Sequence, residues 1–510
     1  MLFSSSLFLF LFFPIVLLLF YFTNRKFRNT ILLLASLFFY LWGEPRFLPI
    51  AILSAIVDYF LCHAIYANKN DNKKAKNYLI LGIILNVSLL FYYKYLDFFL
   101  ANLNYLLVKI HFSSLPLLHL LLPIGVSFIV FEKITYLVDV YRGQGKPAPS
   151  LHLYLLYIFL FPKLLAGPIV KYHDIELQLK DHLVRQNDII QGFKRFLIGL
   201  MKKVLLADTV GELANTVFNF QKDQLGFSQA WLGIICFTLQ IYLDFSSYSD
   251  MAIGLARMFG FNLLENFNMP YTALSFTDFW RRWHISLSTW IKEYLYYSLG
   301  GNRKNQVRTY LNLWICFLIS GLWHGARWNF LFWGAYHGFF LILDKLFWLR
   351  LSAKLPHLFR VSITLFFIIC GWVIFRSQSL SQVFVFFSAM FDPFKQGQFL
   401  YVTYNIWFAM FVGIFISFIQ LATLYEKAIP LLSIPVEFQE AGEARASSRS
   451  GAYIEYVSSE WQQQSQSLKG DGYIFRWNLL IENWVMSILV IFTIVRVMSM
   501  SFNSFLYFRF

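Results

Sequence analysis

The sequence predicts an all-α polytopic integral membrane protein, on three observations. Of the 510 residues, 58% are hydrophobic and only 14% are charged, whereas about a quarter of the residues in an ordinary soluble protein are charged. Apolar runs long enough to cross a bilayer recur along almost the whole chain, and each must be helical because lipid offers no partner for backbone groups. Several runs are interrupted by proline and glycine. We therefore expect a multi-helix bundle with broken or re-entrant helices around a central cavity or tunnel.

The first quarter of the chain predicts four spans. They lie near residues 7–23, 30–43, 49–66 and 78–100. The first is expected to be retained rather than cleaved as a signal peptide, because no basic residue precedes it and no small-residue cleavage site follows it. Basic residues cluster at 25–28, 69–76, 142–146 and 345–360. If these loops are cytoplasmic, as the positive-inside rule predicts, the N-terminus lies outside. The same rule accounts for the net charge of +15, so we expect membrane lipid and no nucleic acid as a partner.

The middle of the chain contains interrupted apolar runs. Pro116 and Pro123 divide residues 105–140 into a short helix and a longer one, and residues 151–169 are interrupted at Pro162 and Gly167. Broken segments at membrane depth are tolerated only where protein or a water-filled cavity surrounds them. They are the reason for expecting a cavity.

The rest of the chain continues the helical pattern. Residues 191–206 carry basic residues around an apolar stripe, which indicates a helix at the interface or one with snorkelling ends. Residues 231–259 form a long apolar run. Further spans are predicted at 309–322, 328–346, 359–376, 402–424 and 479–498. Residues 435–472 are polar and predict a solvent loop. The four cysteines lie singly in apolar runs, so neither a metal site nor a disulfide framework is expected.

His324 is the strongest catalytic candidate. It lies in an apolar segment, and ionisable residues in such surroundings suggest function by default. Trp323 beside it can shape a pocket wall, while Gly321 and Gly325 have the spacing that lets helix backbones approach closely. A histidine that only hydrogen-bonds across helices remains the alternative, and for His337 in the same segment this structural role is favoured.

A second polar group occurs in residues 275–294. Ser275 and Asp278 can form a capping box, and the following apolar residues have helical spacing, which indicates an amphipathic helix at the membrane surface. Its basic residues Arg281, Arg282 and Lys292 are candidates for holding the phosphates of an acyl donor such as coenzyme A, or they face lipid headgroups. His284 is either a second catalytic group or a structural hydrogen-bond donor.

Two carboxylates, Asp244 and Asp250, lie in an apolar run that is dense with hydroxyl groups. One could orient a histidine, as carboxylates do in acid–base sites. Equally, both could pair with lysine or arginine at a helix end. The sequence contains neither a Gly-x-Ser-x-Gly elbow nor a Walker A loop, so a serine hydrolase and an ATP-driven pump are unsupported.

Together these motifs resemble the membrane-bound O-acyltransferase family, and most closely its bacterial alginate O-acetyltransferase branch. The resemblance runs from about residue 35 to the end. The matching segments are Pro123-Ile-Gly125-Val-Ser127-Phe128, Tyr136-Leu-Val-Asp139-Val-Tyr141-Arg142-Gly143, Phe161-Pro162-Lys-Leu-Leu-Ala166-Gly167-Pro168, Asp244 through Gly254, Asn266-Phe-Asn268-Met-Pro270-Tyr271, Phe279 through Ser288, Gly300-Gly301-Asn302-Arg303, Gly321-Leu-Trp323-His324-Gly325 and Phe505-Leu-Tyr507-Phe508-Arg-Phe510. Departures from the family pattern are Glu132 in place of a common glutamine and Ser247 and Asn305 in place of glycines.

The sequence shows no repeat of fixed period and is interpreted as a single membrane domain, with N-terminal spans at 1–120, a catalytic core at 121–350 and C-terminal spans at 351–510. The resemblance implies transfer of an acyl group, usually acetyl, from a cytoplasmic thioester such as acetyl-CoA to an extracytoplasmic polysaccharide or partner acetyltransferase. The family histidine that matches His324 is catalytic, and the one that matches His284 lies near it. Asp244, Trp323 and Gly325 would support them. A bacterial inner membrane is the implied location.

Two other functions remain open from the sequence. The branch that transfers D-alanine to teichoic acid shares the Trp-His-Gly and Arg-Trp-His segments of this chain. A transporter or lipid flippase could use the same broken helices as a pathway, although the sequence has no paired inverted halves that would favour it.

Overall fold

A computed structural model describes residues 1–180, 184–419, 477–499 and 505. In these residues the chain is helical and forms no strand, which confirms the all-α prediction. Met1–Phe418 and Thr493–Phe510 belong to one compact unit and Ile419–Phe492 to another. The polar loop predicted at 435–472 lies outside the described residues, and the division of the sequence into three parts of one membrane domain stays a prediction.

The described helices, numbered in chain order, follow the apolar runs of the sequence. They are α1 Phe8–Phe22, α2 Arg28–Gly43, α3 Leu48–Ala67, α4 Asn72–Lys109, α5 Val126–Tyr141, α6 Leu151–Phe159, α7 Phe161–Leu164, α8 Tyr172–Lys180, α9 Gln186–Met201, α10 Asp208–Phe218, α11 Phe227–Met258, α12 Phe276–Arg282, α13 Ile285–Trp290, α14 Gln306–His324, α15 Trp328–Ser352, α16 His357–Arg376, α17 Leu380–Met390, α18 Tyr404–Phe418 and α19 Trp477–Ser499.

Five of the described helices, α3, α4, α11, α15 and α16, are long and apolar enough to cross a membrane. The chain is therefore a multi-pass membrane protein. The 38 residues of α4 correspond to about 57 Å of helix, well beyond the roughly 30 Å of bilayer hydrocarbon. Most of α4 faces outward, whereas α11 is largely enclosed by other helices and forms the centre of the fold.

The predicted helix breaks are present, and protein encloses the second of them. The short separate helix predicted before Pro116 is wrong, because residues 105–109 continue α4 and residues 112–123 are non-helical. The longer helix, α5, begins after Gly125, whose positive φ of 78° suits glycine. Leu160 separates α6 from the short helix α7, and the side chains from Phe161 to Val170 are all buried. Irregular backbone at membrane depth is thus surrounded by protein in that segment, as the proline and glycine pattern predicts.

Buried ion pairs join several helices. Lys133 on α5 lies 3.0 Å from Asp58 on α3, and Lys163 pairs with Glu132. The prediction that residues 191–206 form an interfacial or snorkelling helix is wrong for Lys203. Its side chain is only 2% exposed and lies 2.6 Å from Asp244, because a carboxylate inside the protein stabilises the ammonium group without solvent.

Glycines set the close crossing of α14 and α15. A Cβ atom on Gly321 would overlap the carbonyl oxygen of Phe330, and one on Gly334 would overlap the carbonyl oxygen of Phe317. The predicted close backbone approach is confirmed for Gly321. Its facing glycine is Gly334, however, whereas Gly325 lies against the ring of Phe330.

We expect Gly321→Ala to reduce the amount of folded protein, because the added methyl group would push two helix backbones apart at a cost of about 1–3 kcal/mol. The matched control is Gly43→Ala, where the new Cβ would meet its nearest atom at 3.8 Å. The measurement is the midpoint of thermal unfolding of each variant in detergent, with the folded fraction at each temperature detected by size-exclusion chromatography. Equal midpoints for the two variants would contradict the expected crossing.

Candidate active site

His324 ends α14 and lies among aromatic rings. Its ring centroid is 5.0 Å from that of Trp333, 5.3 Å from that of Phe375 and 5.0 Å from that of Trp323. The Trp333 and Phe375 rings present edge-to-face geometry. His324 is half-buried as a residue, while Trp323 and Trp333 are almost fully buried. Aromatic side chains of this kind commonly line ligand sites and limit the access of water.

His284 lies where the predicted amphipathic helix breaks. The chain forms α12 up to Arg282 and resumes as α13 at Ile285, and His284 between them has a left-handed φ of 44°. Ser275 accepts a hydrogen bond from the backbone N–H of Asp278 at 3.2 Å, so half of the predicted capping box is present. The Asp278 carboxylate accepts from the backbone N–H of Leu274 instead of that of Ser275. Most apolar side chains of both helices are buried in protein. The interpretation as one continuous surface helix is therefore wrong, because those side chains pack into the core.

Trp323 brings the two histidines together. Its ring centroid lies 5.0 Å from that of His324 and 6.1 Å from that of His284. Phe245 closes the other side of His284 with an edge contact at 4.7 Å. The predicted catalytic pair and Trp323 thus form one cluster, although His284 and His324 are 40 residues apart in the sequence.

Asn266 fixes the orientation of His284. Its Oδ1 atom lies 3.2 Å from His284 Nδ1 and also accepts hydrogen bonds from the backbone N–H and hydroxyl group of Ser286, at 3.2 and 3.0 Å. Its Nδ2 group donates to Ser249 at 3.2 Å. Because Oδ1 only accepts, Nδ1 of a neutral His284 must carry the proton, and Nε2 is left with a lone pair. Nε2 is buried and has no hydrogen-bond partner among the described residues.

Sequence reasoning did not single out Asn266 as a site residue. Asn266 lies in the Asn266-Phe-Asn268 segment that resembles the family. That resemblance was the signal in the sequence that could have pointed to Asn266. Its contact with His284 depends on the chain reversal before α12, and sequence spacing does not reveal that reversal.

His337 belongs to the same aromatic cluster but is fully enclosed. Trp280 donates its indole N–H to His337 Nδ1 at 3.3 Å, and the Trp333 ring lies 4.7 Å from the imidazole. Trp333 therefore contacts both His337 and His324. The hydrogen bond from Trp280 agrees with the structural role that the sequence favours for His337.

Of the three residues predicted to bind an acyl donor, one forms an ion pair and two are exposed. Arg282 pairs with Asp278 one helical turn earlier, at 2.9 Å, which reduces its availability for a phosphate. Arg281 and Lys292 are exposed and form no ion pair with any residue that the structure describes. The donor-binding role of these three residues stays a prediction.

The two carboxylates of α11 lie beside lysine and arginine. Asp244 lies 2.6 Å from the amino group of Lys203, while Asp250 lies 2.5 Å from that of Lys202 and 2.9 Å from the guanidinium of Arg195. Of the two interpretations that the sequence left open, these contacts favour charge pairing for both aspartates. Asp244 then helps to join α11 to the segment that carries Lys203.

Comparison with known proteins adds the decisive observation. The family model described as MBOAT, membrane-bound O-acyltransferase family, matches residues 87–358, a range that includes both histidines and Asn266. The chain belongs to the membrane-bound O-acyltransferase family. It is therefore an acyltransferase, and the transporter interpretation is set aside.

Three relatives of this acyltransferase are named for the transfer of acetyl or D-alanyl groups. A probable alginate O-acetylase of Pseudomonas aeruginosa is 41% identical over 392 residues, covering 77% of this chain and 75% of the relative. A peptidoglycan O-acetyltransferase of Helicobacter pylori is 40% identical over 416 residues, covering 74% and 78%. A teichoic acid D-alanyltransferase of Bacillus subtilis is 24% identical over 275 residues, covering 50% and 69%.

We expect Asn266→Leu to lower the rate of acyl transfer by about tenfold or more, since the loss of an orienting hydrogen bond displaces a group that the reaction needs. Leucine has a similar size but cannot accept the bonds from His284 and Ser286. Asn68→Leu is the control, because Asn68 donates only to Ala64 at the end of α3. The rate per folded protein in membrane vesicles is the measurement, and equal rates in the two variants would argue against a positioning role for Asn266.

Proposed function

We propose that this acyltransferase takes an acetyl group from a cytoplasmic thioester, acetyl-CoA in the simplest case, and transfers it to an extracytoplasmic polysaccharide or to a partner acetyltransferase that modifies one. The observation that carries the proposal is the cluster of His324, Trp323 and His284 at the end of α14. Such a cluster offers a half-buried histidine between aromatic rings, in a membrane protein of an acyltransferase family.

The chemistry requires one base and a dry site. His324 is proposed to accept the proton of the acceptor hydroxyl or thiol as its oxygen or sulfur attacks the thioester carbonyl carbon. The tetrahedral intermediate then collapses, the C–S bond breaks, and the protonated imidazole returns the proton to the leaving thiolate. The rings of Trp323, Trp333 and Phe375 would exclude water that otherwise hydrolyses the thioester. His284 would hold or relay a proton through Nε2, the atom that Asn266 leaves as an acceptor.

The course of α5 and α14 supports a transfer across the membrane. Phe128, in the first turn of α5, contacts Trp323 at the end of α14, with ring centroids 5.6 Å apart. At the other end of α5, Arg142 donates to the carbonyl of Glu293 and the hydroxyl of Ser298 at 3.1 Å each. The segment that Arg142 contacts continues through Arg303 and Lys304 to the start of α14.

These basic residues support a cytoplasmic position for the start of α14, by the positive-inside rule. The 19 residues of α14 extend about 28 Å, so His324 would lie nearer the outer side of a bacterial inner membrane. A donor could then enter from the basic end, while the acceptor approaches from outside. The curated relatives that act on alginate and peptidoglycan support a polysaccharide as the final acceptor.

The test uses inverted membrane vesicles from the native bacterium, in which periplasmic components are trapped inside and the cytoplasmic face points outward. Radiolabelled acetyl-CoA is added outside, and alkali-labile label is measured on polymer or protein inside the vesicles. We expect label inside only when the acyltransferase is present. Vesicles that lack the gene are the control.

Two results would count against the proposal. Transfer that occurs only when acetyl-CoA is enclosed with the acceptor would reject the direction of transfer. No transfer of acetyl, together with loss of D-alanyl esters from the cell surface on gene deletion, would instead support the D-alanyl activity named for the Bacillus subtilis relative.

A further inference from the structure

Lys94 is a half-buried lysine that differs from the three fully buried lysines described above. Lys133, Lys163 and Lys203 each pair with a carboxylate, which compensates their charge. Lys94 lies within α4, a candidate membrane span, and forms no ion pair with any acidic side chain in the described ranges. A cation in a span is costly, and an uncompensated one by default suggests function.

The partners of Lys94 are neutral and lie at the end of the helix that carries His324. Its amino group donates to the hydroxyl of Ser127 at 3.2 Å and to the carbonyl oxygen of Trp323. The same amino group lies 5.7 Å from the centre of the Trp323 ring. The next residue, Tyr95, donates its hydroxyl to the carbonyl oxygen of Leu322 at 3.0 Å.

These contacts supply hydrogen-bond donors to the C-terminal end of α14. The last carbonyl groups of a helix lack partners within it, and the helix dipole makes this end negative. Lys94 supplies both a donor and a positive charge, and Tyr95 supplies a second donor. Both residues lie in a π-helical turn, Phe91–Tyr95, a deviation that is frequent at functional sites.

Fixing Trp323 also fixes its neighbour. Trp323 directly precedes His324, and their rings are 5.0 Å apart. A movement of the last turn of α14 would therefore displace the imidazole and change its distance from a bound thioester. A displacement of about 1 Å at a reacting group can lower a rate by roughly a hundredfold.

We propose that Lys94 is a positioning residue for acyl transfer, which together with Tyr95 holds the last turn of α14 and so sets the position of His324. This inference rests on the proposed function. Lys94 acts through the backbone carbonyl and the indole ring of Trp323, and Tyr95 acts through the carbonyl of Leu322. Neither residue is proposed to contact the reacting atoms.

The experiment compares initial rates in the inverted vesicles described above, at varied concentrations of radiolabelled acetyl-CoA. For Lys94→Met we expect the maximal rate per folded protein to fall by about tenfold or more, with the KM for acetyl-CoA within about twofold of the wild-type value. Lys94→Arg is expected to recover at least about a third of the rate, because a guanidinium also donates to carbonyl groups. For Tyr95→Phe we expect a fall of about threefold. Lys109→Met is the control, because Lys109 is an exposed lysine of the same helix beside the Tyr105 ring.

The outcomes separate this role from a structural one. A folded Lys94→Met protein with the wild-type rate would overturn the inference, as would equal inactivity of the Met and Arg variants with reduced amounts of folded protein. If Lys94→Met does not accumulate, Tyr95→Phe decides: a lower maximal rate at unchanged KM supports the inference, and an unchanged rate rejects it. His324→Ala is assayed alongside. Activity in that variant would reject the proposed function itself, whereas an inactive His324→Ala with a fully active Lys94→Met rejects only the role of Lys94.

Discussion

Replacement of His324 by alanine is expected to lower acyl transfer by about 10²- to 10⁴-fold, the usual contribution of a positioned general base. Alanine removes the imidazole but leaves the end of α14 and the aromatic rings around it in place. The protein should therefore still insert into the membrane and fold. The measurement is the content of alkali-labile acetyl esters on the cell-surface polysaccharide of a deletion strain that carries either wild-type protein or the variant.

The matched control is His357→Ala, because His357 is an exposed histidine at the start of α16. It should restore the ester content as the wild type does. His324→Gln is a further comparison, since glutamine keeps hydrogen-bonding capacity but cannot accept a proton at neutral pH. Full restoration by either His324 variant would contradict general-base catalysis at this position.

Replacement of Lys133 by methionine is expected to have the largest effect on stability, about 3–5 kcal/mol, which is typical when one partner of a buried ion pair is removed. Lys133 and Asp58 are each about 1% exposed and lie 3.0 Å apart. Asn86 donates to both carboxylate oxygens of Asp58 at 3.0 Å. The pair thus joins α3, α4 and α5, and its loss would leave an uncompensated carboxylate among three helices.

A double variant tests this explanation. Lys133→Met combined with Asp58→Asn removes both charges, so most of the stability should return, since the two substitutions are coupled. Lys74→Met provides a surface control, because Lys74 lies in an exposed pair with Asp71, and such pairs contribute little to stability. The free energy of unfolding is compared from thermal or denaturant unfolding in detergent. A double variant no more stable than Lys133→Met would show that packing, rather than the unpaired charge, causes the loss.

The sequence by itself determined the class of the fold and the family. Apolar runs must become helices in lipid, so their positions along the chain predicted α1 to α3, α5 and α14 to α16 closely. The span predicted at 78–100 was too short, since α4 extends from Asn72 to Lys109. Proline and glycine predicted the breaks around Pro123 and Pro162 for the same reason. The sequence also singled out His324 as a candidate, because placing an ionisable side chain in an apolar segment costs free energy and therefore favours a functional explanation.

Only the tertiary structure decided which side chains meet. Asn266 reaches His284, Lys94 reaches the end of α14, and Asp244 pairs with Lys203. Each of these contacts joins residues that are distant in the sequence, and helical periodicity specifies the face of a helix but not its neighbour. The break at His284 was missed for a related reason. The apolar spacing of residues 276–294 fits one continuous helix, whereas the structure forms two helices, each with apolar side chains packed in the core.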